Sequence, residues 1–413
     1  MGLDCLDRKN GMGVYMKRGQ AMRKTKRKNK FLIAVIIAVS VCIAACGKKG
    51  EEDNQGMAGG ILENGAKGLD VIAASGIPSP TPIPSPTPTM NPTPTPDLHE
   101  GKKQGMLNGE WIDEDVVEHR PYAVMLNNIK VANPQSGIGQ ADIVYEALTE
   151  AGITRFLALF SEIGKDTPAA ARLGSVRSAR HYFVSFADEY DAIFVHFGET
   201  TYAKKKMDKL KIDHITGMYG VGVSSFYRDK SIKAPHNAFA SLEGIENAVK
   251  KGKFRTEYEE GYKSHFTFYA ENTVPESSGV QTPATKITLG FSDYMKPYFL
   301  YDAENETYVR YQFDGEHIDY NTGKQLAFKN IIIQLVKEWN IDKNGYQTMD
   351  IEKAEGTGWY ITNNTVQPVT WKKDEGKRFM RYYSEDKEEL IINPGKTYIA
   401  VFPINREKHI AIE

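Results

Sequence analysis

Apolar residues are spread unevenly along the chain, and their spacing divides it. An unbroken apolar run, "FLIAVIIAVSVCIAAC", fills residues 31–46. From Gly47 to about Gly76 the sequence is Gly-rich and polar, with large apolar side chains too sparse to build a core. From Trp111 periodic patterns continue to the C-terminus. "YAVMLN" (122–127), "ITRFLALFSE" (153–162) and "YDAIFVHFGE" (190–199) read as strands. "GQADIVYEALTEAG" (139–152) is predicted as a helix ended by glycine. Its wheel puts Ile143, Val144, Ala147, Leu148 and Ala151 on a core face, opposite a solvated acidic stripe of Asp142, Glu146 and Glu150.

"RLGSVRSARHYFVSF" (172–186) is predicted as a helix capped by Ser175, with Val176, Ala179, Phe183 and Phe186 facing the core. "SLEGIENAVKKG" (241–252) is another helix, capped by Ser241. Strands alternating with helices predict an α/β layer. After about residue 264 the apolar runs shorten to β-branched and aromatic stretches such as "YVRYQF", "NIIIQLV", "GWYIT" and "TYIAVF". Turn pairs such as Asp314-Gly315 and Asn344-Gly345 separate them. The expected fold class is α+β: an α/β N-terminal domain over 111–265, then a mostly β C-terminal domain over 266–413.

The apolar run near the N-terminus follows a basic block from Lys17 to Lys30 and is short for a membrane span, which needs about 20 residues. The order of basic block, apolar run and small residues is that of an export signal over 1–45. The tetrad Ile43-Ala44-Ala45-Cys46 resembles the bacterial lipobox, which implies cleavage before Cys46 and a lipid on its thiol. An uncleaved anchor helix would place the remaining chain on the same side of the membrane. Residues 46–110 read as a tether, in which nine of the 19 prolines fall between Pro78 and Pro96. Polyproline II geometry would extend that stretch to about 60 Å.

The cysteines are Cys5, Cys42 and Cys46, so the folded part has neither disulfides nor a thiol nucleophile. Removing 1–45 takes away ten Lys/Arg and two Asp/Glu, leaving 42 against 51, a net charge of −9. Such a chain has no general attraction for nucleic acid, and any anion site must be local.

Against that acidic background the basic residues of 172–186 are conspicuous. Arg177, Arg180 and His181 crowd the predicted helix start, where the macrodipole disfavours cations unless an anion rests there. Guanidinium groups match phosphate and carboxylate geometry. Arg155 and Arg228 stand at other element ends, with His236 and Asn237 in "KAPHNAF" and His196 at the end of its strand. The competing reading is that these arginines bridge to acidic neighbours. A metal site from His196, Glu199 and His236 lacks any short ligand spacing. No dinucleotide, Walker or nucleophile-elbow spacing occurs, and no cofactor is implied.

The segments "RPYAVMLNN", "NPQSGIGQADIVYEALTEAGITRFLALF", "GSVRSARHYF", "VHFGE" and "APHNAF", in this order, resemble the YerB-like bacterial lipoprotein family. The later segments "HIDYNTGKQLAFKNIIIQ" and "INPGKTYIAVFP" resemble its second domain. The resemblance covers about residues 118–405 and implies a lipoprotein with two domains. It brings no reaction and no catalytic residues. One departure is Ala151, where the pattern leads one to expect a second glycine.

These readings converge on an extracytoplasmic protein held on the outer face of the cytoplasmic membrane by a lipid on Cys46. Its expected partner is an anionic envelope component: a phosphate or carboxylate of an envelope polymer, a peptidoglycan fragment or a lipid-linked sugar. Arg155, Arg177, Arg180, His181, His196, Arg228, His236 and Asn237 are the candidate site. Two alternatives stay open: an envelope hydrolase or transferase with His196 or His236 as general base, and a protein-interaction module at the cell surface.

Overall fold

The computed structural model describes residues 99–162, 172–275 and 282–413. The expected signal segment, Cys46 and the tether as far as residue 98 lie outside the described residues. The N-terminal half contributes β1 (Tyr122–Asn128), β2 (Ile143–Leu148), β3 (Thr154–Phe160), β4 (Arg172–Gly174), α1 (His181–Glu189), β5 (Ile193–His196), α2 (Thr201–Leu210), β6 (His214–Thr216), β7 (Phe226–Arg228), β8 (Ala238–Ser241) and α3 (Leu242–Gly252). The C-terminal half adds β9 (Thr282–Pro283), β10 (Lys286–Leu289), β11 (Tyr298–Asp302), β12 (Thr307–Gln312), β13 (Asn330–Val336), β14 (Ala354–Thr362), β15 (Thr365–Lys373), β16 (Arg381–Tyr383), β17 (Thr397–Pro403) and β18 (Ile410–Ile412). The protein is α+β with a mostly β C-terminal part.

Eleven strands form one sheet in the order β9-β15-β14-β13-β17-β2-β3-β1-β5-β6, with β16 added on β15. The two halves meet inside it, where Thr397–Val401 of β17 runs parallel to Ile143–Ala147 of β2. Alternation along the strands divides the core. Phe156, Ala158, Phe160, Ile331, Ile333 and Tyr398 face the smaller sheet that contains β10, β11 and β12. Leu157, Leu159, Ile332, Ile399 and Val401 face α1, which buries Tyr182, Phe183 and Phe186. α3 starts as expected, with the Ser241 hydroxyl accepting from the Gly244 amide.

Two expected helices are corrected. Residues 139–152 contain strand β2, not a helix, and all six residues of β2 are buried. A strand covered on both faces loses its period-two signature, and a four-residue acidic spacing then imitates a helix. Its carboxylates are not solvated. Glu146 is fully buried and receives Arg310 at 2.7 Å, Tyr398 at 2.7 Å and Asn128 at 2.9 Å. Asp142 takes the Asn108 amide at 2.8 Å and the Ser161 hydroxyl at 2.8 Å. Ala151, where a glycine was expected, has φ 61°, the left-handed region that glycine enters without steric cost.

The second correction concerns 172–186. The helix begins at His181 with Arg180 in the cap position, and Ser175 caps nothing. Residues 174–178 are extended instead. The Asn127 amide donates to Ser175 O at 2.9 Å, and the Arg177 amide donates to Met125 O at 2.9 Å. Apolar Val176 meets Leu126 across this pairing, so tertiary strand pairing overrides the helical spacing. Gly174 allows the close approach: its φ is 145°, and a Cβ there would lie 3.1 Å from the Ala238 carbonyl.

Candidate anion-binding site

The extended segment lies along the carboxyl end of β1, beside the end of β5 to which β1 runs parallel. Ligands of α/β sheets gather beyond such strand ends. Arg155, second residue of antiparallel β3, lies directly opposite Asn127 of β1, so the two share one sheet face. The Asn127 amide nitrogen contacts His236 Nδ1 at 3.1 Å and Ser175 Oγ at 3.3 Å. Arg177 reaches across to donate to Pro235 O at 3.0 Å, next to His236. Arg155 and Arg180 both donate to Ser178 O, at 2.6 and 3.4 Å. Cross-strand pairing, chain neighbours and these hydrogen bonds together close a ring through Arg155, Asn127, His236, Arg177 and Ser178. Arg228 borders it, donating to Asn237 Oδ1 at 2.7 Å while its guanidinium lies 4.8 Å from the Phe197 ring centre.

The charges do not balance. Glu150 forms a bidentate pair with Arg180, both bonds 2.6 Å, and lies 4.0 Å from Arg155. Among the described residues Arg177 and Arg228 have no carboxylate partner. Arg155 Nε and Arg177 Nε are buried without a hydrogen-bond partner. Burial, with Arg180 and Arg177 nearby, pulls the Arg155 guanidinium down to about 9. Burial and the charges of Arg180 and Arg228 lower Arg177. His236 is lowered by burial, then by Arg177 and Arg155. Burial would raise the Glu150 carboxyl, but the bonds and charge of Arg180 outweigh it and hold it low.

The structure therefore joins Arg155, Arg177, Arg180, Arg228, His236 and Asn237, and leaves two candidates outside. His196 is fully buried, with Nδ1 on Gly198 O at 2.9 Å and Nε2 on His214 at 3.1 Å. Burial takes it down to about 3, so it is a satisfied core histidine. His181 bonds Thr348 at 2.8 Å and is pulled down to about 4, chiefly by burial. Neither touches the arginine ring. Asn127, Glu150 and Ser178 were missed. Asn127 reads as an ordinary strand end, and Glu150 was spent on the wrong wheel.

Cavities of about 870 and 570 Å³ open elsewhere, beside Asp142 and beside Arg120. The buried charges named there are partnered: Arg120 pairs with Asp213 at 2.6 Å, and Asp142 is bonded by Asn108 and Ser161. The arginine ring alone among these combines excess charge with buried, unpartnered donors.

The family model for the N-terminal domain of DUF3048, a protein of unknown function, matches residues 107–255, and the model for its C-terminal domain matches 287–399. A Bacillus subtilis (strain 168) protein described as a candidate lipoprotein, YerB, is 33% identical over 302 residues, covering 73% of this chain and 87% of that protein. This chain belongs to the YerB family. The crystal structure of B. subtilis YerB superposes with a TM-score of 0.64 at 30% identity, covering 75% of this chain and 99% of that one. In this chain Asn91–Glu413 form a compact unit of their own, which holds all the described residues. The ring of arginines lies within the N-terminal DUF3048 domain.

Proposed function

We propose that this YerB-family lipoprotein binds an anionic component of the cell envelope through the arginine ring, the anion being a phosphate or carboxylate of an envelope polymer or a lipid-linked sugar. One observation carries the reading: Arg155 Nε and Arg177 Nε are buried and unpartnered, in a cluster whose ion pairs among the described residues run to Glu150 alone. Leaving a buried donor unsatisfied costs about 1–3 kcal/mol, and an anion between the two guanidiniums would recover it. The lipid anchor at Cys46 would keep the site near its ligand at the outer face of the membrane.

A general base at His196 gains no support, since both ring nitrogens are engaged. His236 keeps Nε2 without a protein partner among the described residues, which suits an anion as well as a proton transfer. The test is thermal melting of a fragment from residue 99 onward with inorganic phosphate. A ligand at 100 times its Kd stabilises by about 2.7 kcal/mol, and Arg177→Ala should abolish that gain. No phosphate-dependent shift in the unsubstituted fragment, or an equal shift in the variant, would overturn the site.

A further inference from the structure

Between β6 and β7 the chain makes a 3-10 turn over Gly220–Ser225. Around it Met218 is 57% exposed, Tyr219 40%, Val223 53% and Tyr227 47%. Scattered apolar residues on a surface need no explanation, but four large ones within ten residues do. The turn is held from beneath. The Ser225 hydroxyl donates to Gly244 O at 2.6 Å, Phe226 packs edge-on against Phe197, and a Cβ on Gly222 would lie 2.6 Å from Thr216 O. Met218 and Val223 are thus presented outward by an anchored segment.

The turn runs directly into the anion site. Tyr227 is followed by Arg228, which borders the arginine ring, and by the exposed Lys230 and Lys233. Asp229, the one acidic residue in 217–237, is occupied by Arg172 at 2.8 Å and by Ser231. Glu199 also lies beside the turn and accepts the Tyr219 hydroxyl at 3.0 Å, whereas Arg228, Lys230 and Lys233 have no carboxylate partner among the described residues, so the surface offers apolar side chains beside unpaired cations, on a chain whose mature charge is −9. A polymer phosphate needs the cations but not the apolar rim. An anionic bilayer needs both, because headgroup phosphates sit immediately above an apolar layer. Tyrosine is also favoured at that boundary.

We infer that the phosphate taken by the arginine ring belongs to an anionic membrane lipid, with Met218, Tyr219 and Val223 entering the headgroup–acyl boundary while Arg177 and Arg228 hold the phosphate. This rests on the anion-binding reading above. A chain tethered at Cys46 keeps the domain at high effective concentration over the same bilayer, so a surface that is weak alone suffices.

The experiment uses the fragment from residue 99 onward, which carries no lipid, in flotation with vesicles of phosphatidylglycerol or of phosphatidylcholine. Capture by phosphatidylglycerol alone is expected. Met218→Asp/Val223→Asp should weaken it on the order of tenfold or more, while the phosphate-dependent melting shift stays unchanged, which also shows that the variant folds. A phosphate shift without vesicle capture overturns the lipid and leaves a soluble polymer phosphate as ligand. Capture that ignores the double substitution overturns the insertion. Neither shift nor capture overturns the underlying anion site itself.

Discussion

At the scale of single residues, the proposed anion site is a group of guanidiniums, two of which have a buried Nε without a hydrogen-bond partner. Arg155 is buried beside Arg180 and Arg177 and drawn down to about 9, the mark of a cation that its surroundings do not compensate. Arg155→Met should therefore leave the melting temperature in phosphate-free buffer unchanged or higher, yet remove the stabilisation that phosphate gives. His236 supplies a pH test. Burial and two arginines keep it lowered and neutral near neutrality; a dianion among those arginines favours the imidazolium and raises it. Affinity for a bound dianion then grows as pH falls. Sulfate, which does not titrate in this range, should bind more tightly at about pH 5 than at about pH 8, on the order of tenfold. His236→Gln should flatten that dependence in calorimetric titration.

Among the elements, β2 is the one whose sequence misleads most. Asp142, Glu146 and Glu150 repeat every fourth residue, yet they serve three different environments: a buried amide, a buried guanidinium and the cap residue of α1. Glu146 links β2 to β12 through Arg310, both fully buried. Arg310→Ala leaves that carboxylate unpaired and should cost about 3–5 kcal/mol in urea unfolding. Glu146→Leu combined with Arg310→Met should recover most of the loss, because an apolar pair removes both desolvation penalties. The other N-terminal strands singled out, and α3 with its Ser241 cap, were readable because their signals are local: short continuous apolar runs, a capping hydroxyl and a terminal glycine. The segment 175–178 was not, since only its hydrogen bonds to β1 distinguish it from the start of α1.

For the molecule as a whole, continuity of the eleven-stranded sheet couples the two family domains. β17, near the C-terminus, lies between β13 and β2, hydrogen-bonded in parallel to both. Truncation before Thr397 should therefore unfold the N-terminal half as well as the C-terminal half. Loss of the folded circular dichroism signal and rapid proteolysis across residues 122–252 would show this. Survival of a protease-resistant N-terminal core would contradict it.

The sequence by itself determined the absence of cysteines after residue 46, the α+β class and the family, since each depends on composition or on local order along the chain; the lipid anchor at Cys46 is an expectation of the same local kind. It also marked the arginines as out of place in an acidic protein. Tertiary structure decided which of them meet. Arg155, Arg177, Arg180, Arg228 and His236 come from strand ends and loops distant in sequence, and only sheet pairing brings them to one edge. It also decided which charges are spent. Glu150 neutralises Arg180 across 30 residues, while His196 is closed off by His214, and no periodicity along the chain encodes either contact.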